Sequence, residues 1–234
     1  MSNNDIIDQE LDNTTEQEQN NPSQGNAILD QFKQWLNQQN KPLVYAVAAM
    51  LMISIVYFGY QYLYKLPKEK EGAEAIYQTQ ALFDVDSFRL VVKTAPKLAD
   101  QYSGTKAGNL AAYMAGASYL RLSDYKKAIT YLEQCSFEDH VMKYQAIGLL
   151  GDAYIEDKNL DKGLDLYLKA SKGADVEFSK VQWALKAASV YEKKNEWQAA
   201  LDIYLDLKKN YKENDAVQEM DKFIGRAKAK LGEY

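Results

Sequence analysis

The sequence predicts an all-α protein: one N-terminal transmembrane helix, then a solenoid of helix-turn-helix repeats closed by a C-terminal capping helix. Three observations carry this. Residues 42–64 read PLVYAVAAMLMISIVYFGYQYLY, a run without a charged side chain between Lys41 and Lys65. Residues 109–211 repeat one pattern of small and aromatic residues three times. From Gly72 onward no stretch shows the two-residue alternation of a half-buried strand.

Taken in order, residues 1–25 are rich in Asn, Gln, Ser and acids, with almost no large hydrophobes. Such a segment buries too little apolar area to offset its ordering entropy, so it is expected to be a disordered acidic tail. In residues 26–41, Ile28, Leu29, Phe32, Trp35 and Leu36 fall at helical spacing. That is an amphipathic juxtamembrane helix, with Trp35 suited to the headgroup layer, or a frayed extension of the anchor. Residues 42–64 suffice, at about 1.5 Å per residue, for the ~30 Å hydrocarbon core of a bilayer. A secretory signal would start near residue 1 with a basic stretch; here a long polar segment comes first and the far end is Tyr-rich. The run holds no ionisable side chain for a proton or ion path and no GxxxG pattern, so anchoring is its expected role. Pro67 and the charged KEKEG stretch read as a linker over 65–71.

The remainder, 72–234, has chain enough for one domain with a sizeable core. In 117–134, 152–169 and 189–206, Tyr119, Tyr154 and Tyr191 fall in register. Gly116, Gly151 and Ala188 precede them by three residues, while Ala128, Gly163 and Ala200 follow by nine. Leu132, Tyr167 and Tyr204 come four later. Two antiparallel helices approach closely only where small residues face each other, and the tyrosine fills the space beside the turn. One helix pair leaves a face exposed, so successive pairs stack. Repeats are placed at about 109–142, 144–178 and 181–213. Phe88 and Val91 match Tyr125 and Ala128, which makes 72–102 a degenerate first pair whose second helix Pro96 should kink or end. Val217, Met220, Phe223, Ile224, Ala227 and Leu231 form one apolar stripe, the mark of a capping helix over 214–232.

Composition narrows the function. Of 33 acids and 28 bases, residues 1–41 hold seven acids and two bases, so the rest balances at 26 of each and lacks the basic surplus that nucleic-acid binding needs. The lone cysteine, Cys135, excludes an internal disulfide and sits where the pattern wants a small core residue. His140, the only histidine, reads as a solvated loop residue in FEDH without metal-ligating neighbours. GTKAGN lacks P-loop spacing and a preceding strand. No catalytic, metal or cofactor site and no small-molecule substrate is expected.

The repeats resemble the tetratricopeptide repeat, whose period is 34 residues; its Trp is here Ala112, Ile147 and Ala184, and its terminal Pro is missing. Placed on that pattern, Asn109, Tyr113, Leu120, Gln145, Asp152, Gln182, Ser189 and Glu192 face inward as a peptide- or protein-binding groove. Tail, single membrane helix and neutral repeat domain together resemble the YfgM-like family of ancillary subunits of the bacterial Sec translocon. Residues 102–133 are the most family-like, especially TKAGNLA and DYKKAI, and the resemblance covers about 41–211. It implies a non-enzymatic protein with its N-terminus in the cytoplasm, its anchor in the inner membrane through 42–64, and its repeats in the periplasm. The implied partners are Sec translocon subunits, periplasmic chaperones and exported clients. Lys33 and Lys41 before the anchor against Lys65, Lys68 and Lys70 after it pull the other way, toward repeats in the cytoplasm. A structural scaffold or assembly factor for an envelope or cell-division complex, and a cytoplasm-facing receptor, are the alternatives.

Overall fold

A computed structural model describes residues 41–233 and six positions between 27 and 34. The disordered tail expected over 1–25 lies outside the described residues, as do Ile28, Phe32, Trp35 and Leu36 of the amphipathic stripe. Ala27, Leu29, Asp30, Gln31, Lys33 and Gln34 are helical. The chain divides into two units, the first ending at Tyr62 and the second starting at Leu63. No strand occurs among the described residues.

The first unit holds α1 (Lys41–Gly59). Its apolar side chains are exposed nearly all round, and none of its apolar window is buried. It begins the one helical stretch among the described residues, Pro42–Asp84, that is long and apolar enough to cross a membrane. Ser54 donates its hydroxyl to the Met50 carbonyl at 2.8 Å, which satisfies it within the helix.

From Tyr60 to Lys65 the ladder widens to π-helix and then returns to α2 (Leu66–Asp84), with Pro67 in its first turn. Residues 65–71 are therefore helical, not a linker. Proline lacks an N–H and crowds the carbonyl four residues before it, and the widened turn lies where that carbonyl would sit. What holds the segment helical is tertiary contact. Gly72 is buried so closely on the next pair that a Cβ there would lie 2.8 Å from Ala107 Cβ. The Glu69 carboxylate accepts the Lys106 backbone N–H at 3.0 and 3.1 Å.

The second unit continues as α3 (Phe88–Gln101), α4 (Lys106–Arg121), α5 (Tyr125–Glu133), α6 (His140–Glu156), α7 (Leu160–Gly173), α8 (Glu177–Lys193), α9 (Trp197–Asn210), a short α10 (Asp215–Gln218) and α11 (Met220–Leu231). They form the pairs α2/α3, α4/α5, α6/α7 and α8/α9, followed by α10 and α11 against α9. Pro96 does not end its helix: α3 runs on to Gln101. Ala95 and Ala99 on either side of it are buried in the core shared with α4, which outweighs the missing hydrogen bond.

All four pairs turn in one way. Asp86, Ser123, Lys158 and Asn195 each adopt a left-handed backbone with φ between 55° and 69°. The next residue's N–H bonds back to the carbonyl five residues earlier: Ser87 to Leu82, Asp124 to Tyr119, Asn159 to Tyr154 and Glu196 to Tyr191, at 2.8 to 2.9 Å. This Schellman geometry uses up carbonyls that a helix end would leave unpaired. It also puts Leu82 in register with the three tyrosines, so the first pair shares the turn of the others. Small residues sit at the helix contacts: Ala128, Ala188 and Ala200 are fully buried, and the carbonyls of Gly151 and Gly163 lie 3.1 to 3.2 Å from the Cβ positions across the gap.

Candidate functional site

The expected groove residues lie on the first helices of the pairs, and most are already engaged within the chain. Asn109 clamps the loop before α6: its amide donates to the Ser136 carbonyl at 2.9 Å and its oxygen accepts the Ser136 N–H at 3.2 Å. Tyr113 lies edge-on to Phe83 and to Phe137, with ring centroids 6.4 and 6.1 Å away. Burial lifts its phenol above the ordinary tyrosine value, while a hydrogen bond with Gln145 opposes the shift. Leu120 packs on the small core around Ala128, Leu132 and Ala153. Gln182 is half-buried and Ser189 exposed.

Asp152 and Glu192 are the centres of two like-built clasps. Asp152 on α6 accepts the Tyr167 hydroxyl of α7 at 2.5 Å and the Lys186 ammonium of α8 at 2.6 and 2.8 Å. Glu192 on α8 accepts the Tyr204 hydroxyl of α9 at 3.0 Å and the Arg226 guanidinium of α11 at 2.7 and 2.8 Å. In each clasp an acid on a first helix ties the second helix of its own pair to a helix farther along the chain, α8 in one case and α11 in the other. Aromatic rings close both: Tyr167 stacks on Trp183 at 6.0 Å, and Tyr204 tilts over Phe223 at 5.5 Å. The cation lies over that ring, Lys186 above Trp183 at 4.8 Å and Arg226 above Phe223 at 5.2 Å. Burial, and then the Asp152 charge, raises the Tyr167 phenol; burial, and then the Glu192 bond, pushes Tyr204 up to about 12. Both tyrosines therefore stay protonated as donors.

The clasp partners Tyr167, Lys186, Trp183, Tyr204, Phe223 and Arg226 were not among the expected site residues. One signal was present: both acid–cation pairs are 34 residues apart, which is one repeat period.

Arg226, Phe223, Ser189 and Glu192 line an open recess of about 330 Å³. A larger depression of about 910 Å³ is bordered by Lys65, Glu69, Lys106, Asn109 and Phe137. Its rim is formed by the start of α2, the loop before α4 and the loop before α6. His140 corrects its expected place: it is the first residue of α6, and Nδ1 lies 2.8 Å from Asp175 Oδ2 in the loop before α8. Cys135 packs half-buried on the core of the first two pairs, and burial pushes its thiol up to about 12. Among the described residues no group of three or more His, Cys, Asp or Glu side chains is placed to hold a metal ion.

No protein-family model and no curated protein matches the sequence. Solved structures do match. MamA 41-end from Desulfovibrio magneticus RS-1 is 20% identical with a TM-score of 0.51, covering 62% of this chain and 77% of that one. The MamA RS-1 ArsTM double mutant is again 20% identical at a TM-score of 0.51, covering 63% and 79%. MamA is an all-helical protein of tetratricopeptide type, and the likeness shows that this chain has a tetratricopeptide-like fold.

Proposed function

We propose that this chain is a membrane-anchored scaffold that binds other proteins through the first-helix face of its repeats. The observation that carries the proposal is the repeat architecture itself. Four helix pairs share one turn geometry, Tyr113, Gln145, Gln182 and Ser189 belong to the first helices α4, α6 and α8, and stacked pairs of this kind build extended binding surfaces. Anchoring is supported by α1, uncharged beyond Lys41, without a buried face and long enough for a bilayer. In its finer form the scaffold is an ancillary subunit of the Sec translocon in a bacterial inner membrane. It faces the periplasm and passes exported chains to chaperones there. The resemblance of 102–133 to that family supports this form.

A photoreactive residue at Gln182 or Ser189, irradiated in intact cells, tests it. Discrete protein adducts are the expected result, and a membrane-integrated chain that gives none at either position would sink the scaffold reading. Translocon subunits or unfolded exported chains in the adducts would support the finer form. One stoichiometric folded partner would replace it with an assembly factor for an envelope or division complex. Lys65, Lys68 and Lys70 behind the anchor favour a second reading, a receptor facing the cytoplasm. Protease added to spheroplasts decides between them: digestion of the repeats places them in the periplasm, and protection places them in the cytoplasm.

A further inference from the structure

The depression of about 910 Å³ is large enough for a ligand, and the chain itself fixes how far it lies from the bilayer. Leu63 and Tyr64 close the uncharged run and already belong to the second unit. Lys65, the next residue, lines the depression, and so does Glu69 farther along the same continuous helix. At about 1.5 Å per residue Glu69 stands no more than roughly 8 Å beyond Tyr64, and less if the helix tilts. The polar layer on each side of a bilayer is about 5–8 Å deep. Because the Glu69 carboxylate accepts the Lys106 backbone N–H, the loop before α4 is held beside it. Two of the three segments that border the depression therefore stand at the level of lipid head groups.

The charges there are of both signs, and three of them are unspent. Two lysines and three acids line the depression. Glu69 is engaged by the Lys106 N–H, and Asp139 caps α6 by accepting the Met142 N–H at 2.8 Å. Among the described residues the side chains of Lys65, Lys106 and Glu138 have no ion-pair or hydrogen-bond partner. A purely anionic ligand would meet the acids and a purely cationic one the lysines, whereas a zwitterion answers both. We propose that the depression holds the phosphoethanolamine head group of a phospholipid from the bilayer that carries the anchor. The proposal rests on the anchored reading above. The phosphate lies between Lys65 and Lys106, within reach of the exposed Ser103 hydroxyl. The ammonium donates to Glu138, which a quaternary choline, lacking N–H groups, does not. Phe137 and Met142, both half-buried in the lining, receive the glycerol and the first methylenes.

Native mass spectrometry of the full chain tests this, with the protein purified in detergent and offered phosphatidylethanolamine, phosphatidylglycerol and phosphatidylcholine in equal amounts. One bound phosphatidylethanolamine is expected, preferred over each of the others by about fivefold, which is what one exposed ion pair supplies at most. Lys65→Gln and Lys106→Gln should each lower retention of all three lipids by about threefold to fivefold. Glu138→Gln should keep phosphatidylglycerol bound and erase the preference. Lys70→Gln, exposed on α2 and outside the depression, should change nothing. All four side chains are exposed, and unchanged thermal melts are expected for every variant. Equal retention of the three lipids by the unaltered chain would overturn the proposal, as would a loss at Lys70→Gln as large as that at Lys106→Gln. Full displacement of the lipid by soluble glycerophosphoethanolamine at the same concentration would overturn it too, since the ligand would then not come from the membrane. Alkaline extraction of membranes carrying the chain keeps the two readings apart. A retained chain without head-group preference overturns the site and leaves the anchor standing. A released chain overturns the anchored reading, and the lipid source of the site with it.

Discussion

In α2–α5 the buried helix core is mostly alanine, with aromatic rings packed half-buried around it; in α6–α11 aromatic rings enter the buried core itself and acid–cation pairs join the helices. The core of the first two pairs is built on Ala95, Ala99, Ala107, Ala111, Ala112, Ala115 and Met114. The cores farther along hold Tyr167, Trp183, Leu164 and Tyr204, and the two acid-centred clasps bridge them. Neighbouring helices explain the difference. Helix α4 packs against α2, α3, α5 and α6, so its flanks must be narrow. Helix α8 packs mainly against α7 and α9, and larger side chains fill the wider gaps beside it. One repeat pattern thus tolerates two packing solutions, chosen by how many helices crowd each first helix.

Trp183→Ala is the strongest way to break the comparison. It empties the largest fully buried side chain of the second region and is expected to cost about 3–5 kcal/mol in denaturant unfolding. Because each repeat contacts chiefly its neighbours, hydrogen exchange should show protection lost in α6–α9 and kept in α2–α5. Equal loss in both regions would mean that the halves are one cooperative block.

The narrow region should fail differently. Gly108→Ala would put a Cβ 2.0 Å from the Tyr102 carbonyl oxygen, a backbone atom that cannot swing aside, and is expected to destabilise by about 2–3 kcal/mol. Gly225→Ala on α11 meets nothing within 4 Å and should stabilise by about 0.5–1 kcal/mol through helix propensity. Thermal melts of the two variants that moved in the same direction would contradict this account.

The clasps sharpen the comparison at smaller scale. Asp152→Asn and Glu192→Gln each take the charge from a largely buried acid, clasped to half-buried Lys186 in one case and exposed Arg226 in the other, and solvent screening of the cations should hold the cost to about 1 kcal/mol. A pH titration adds a second readout. Tyr204 has a raised value in the fold, so its contribution is complete below the ordinary tyrosine value and is lost as pH climbs toward about 12. Tyr204→Phe should remove that part of the alkaline destabilisation, as followed by tyrosinate absorbance.

The smallest effect belongs to the feature both regions share. Lys158 adopts a left-handed backbone at φ 69° that costs a side-chain-bearing residue energy, so Lys158→Gly is expected to raise stability by about 0.5–1 kcal/mol. An unchanged or lowered melting temperature would show that the lysine side chain has a compensating contact.

Two kinds of information separate here. The amino-acid sequence alone determined the uncharged helix and the helical periodicity. It also carried the small residues at the helix contacts and the tyrosines beside three of the turns. These follow from local rules: length against a bilayer, side-chain volume against helix spacing, and period along the chain. Tertiary structure decided what local rules misread. Pro67 and KEKEG look like a break, yet Glu69 and Gly72 are held against α4 and keep the segment helical. Pro96 looks like a stop, yet buried Ala95 and Ala99 carry α3 past it. Asp152 and Glu192 look like groove residues open to a partner, yet each is taken up by a cation one period later in the chain. In every case a contact between residues distant in sequence outweighs a preference of one or two residues, because burial and charge pairing act on distances that only the assembled helices set.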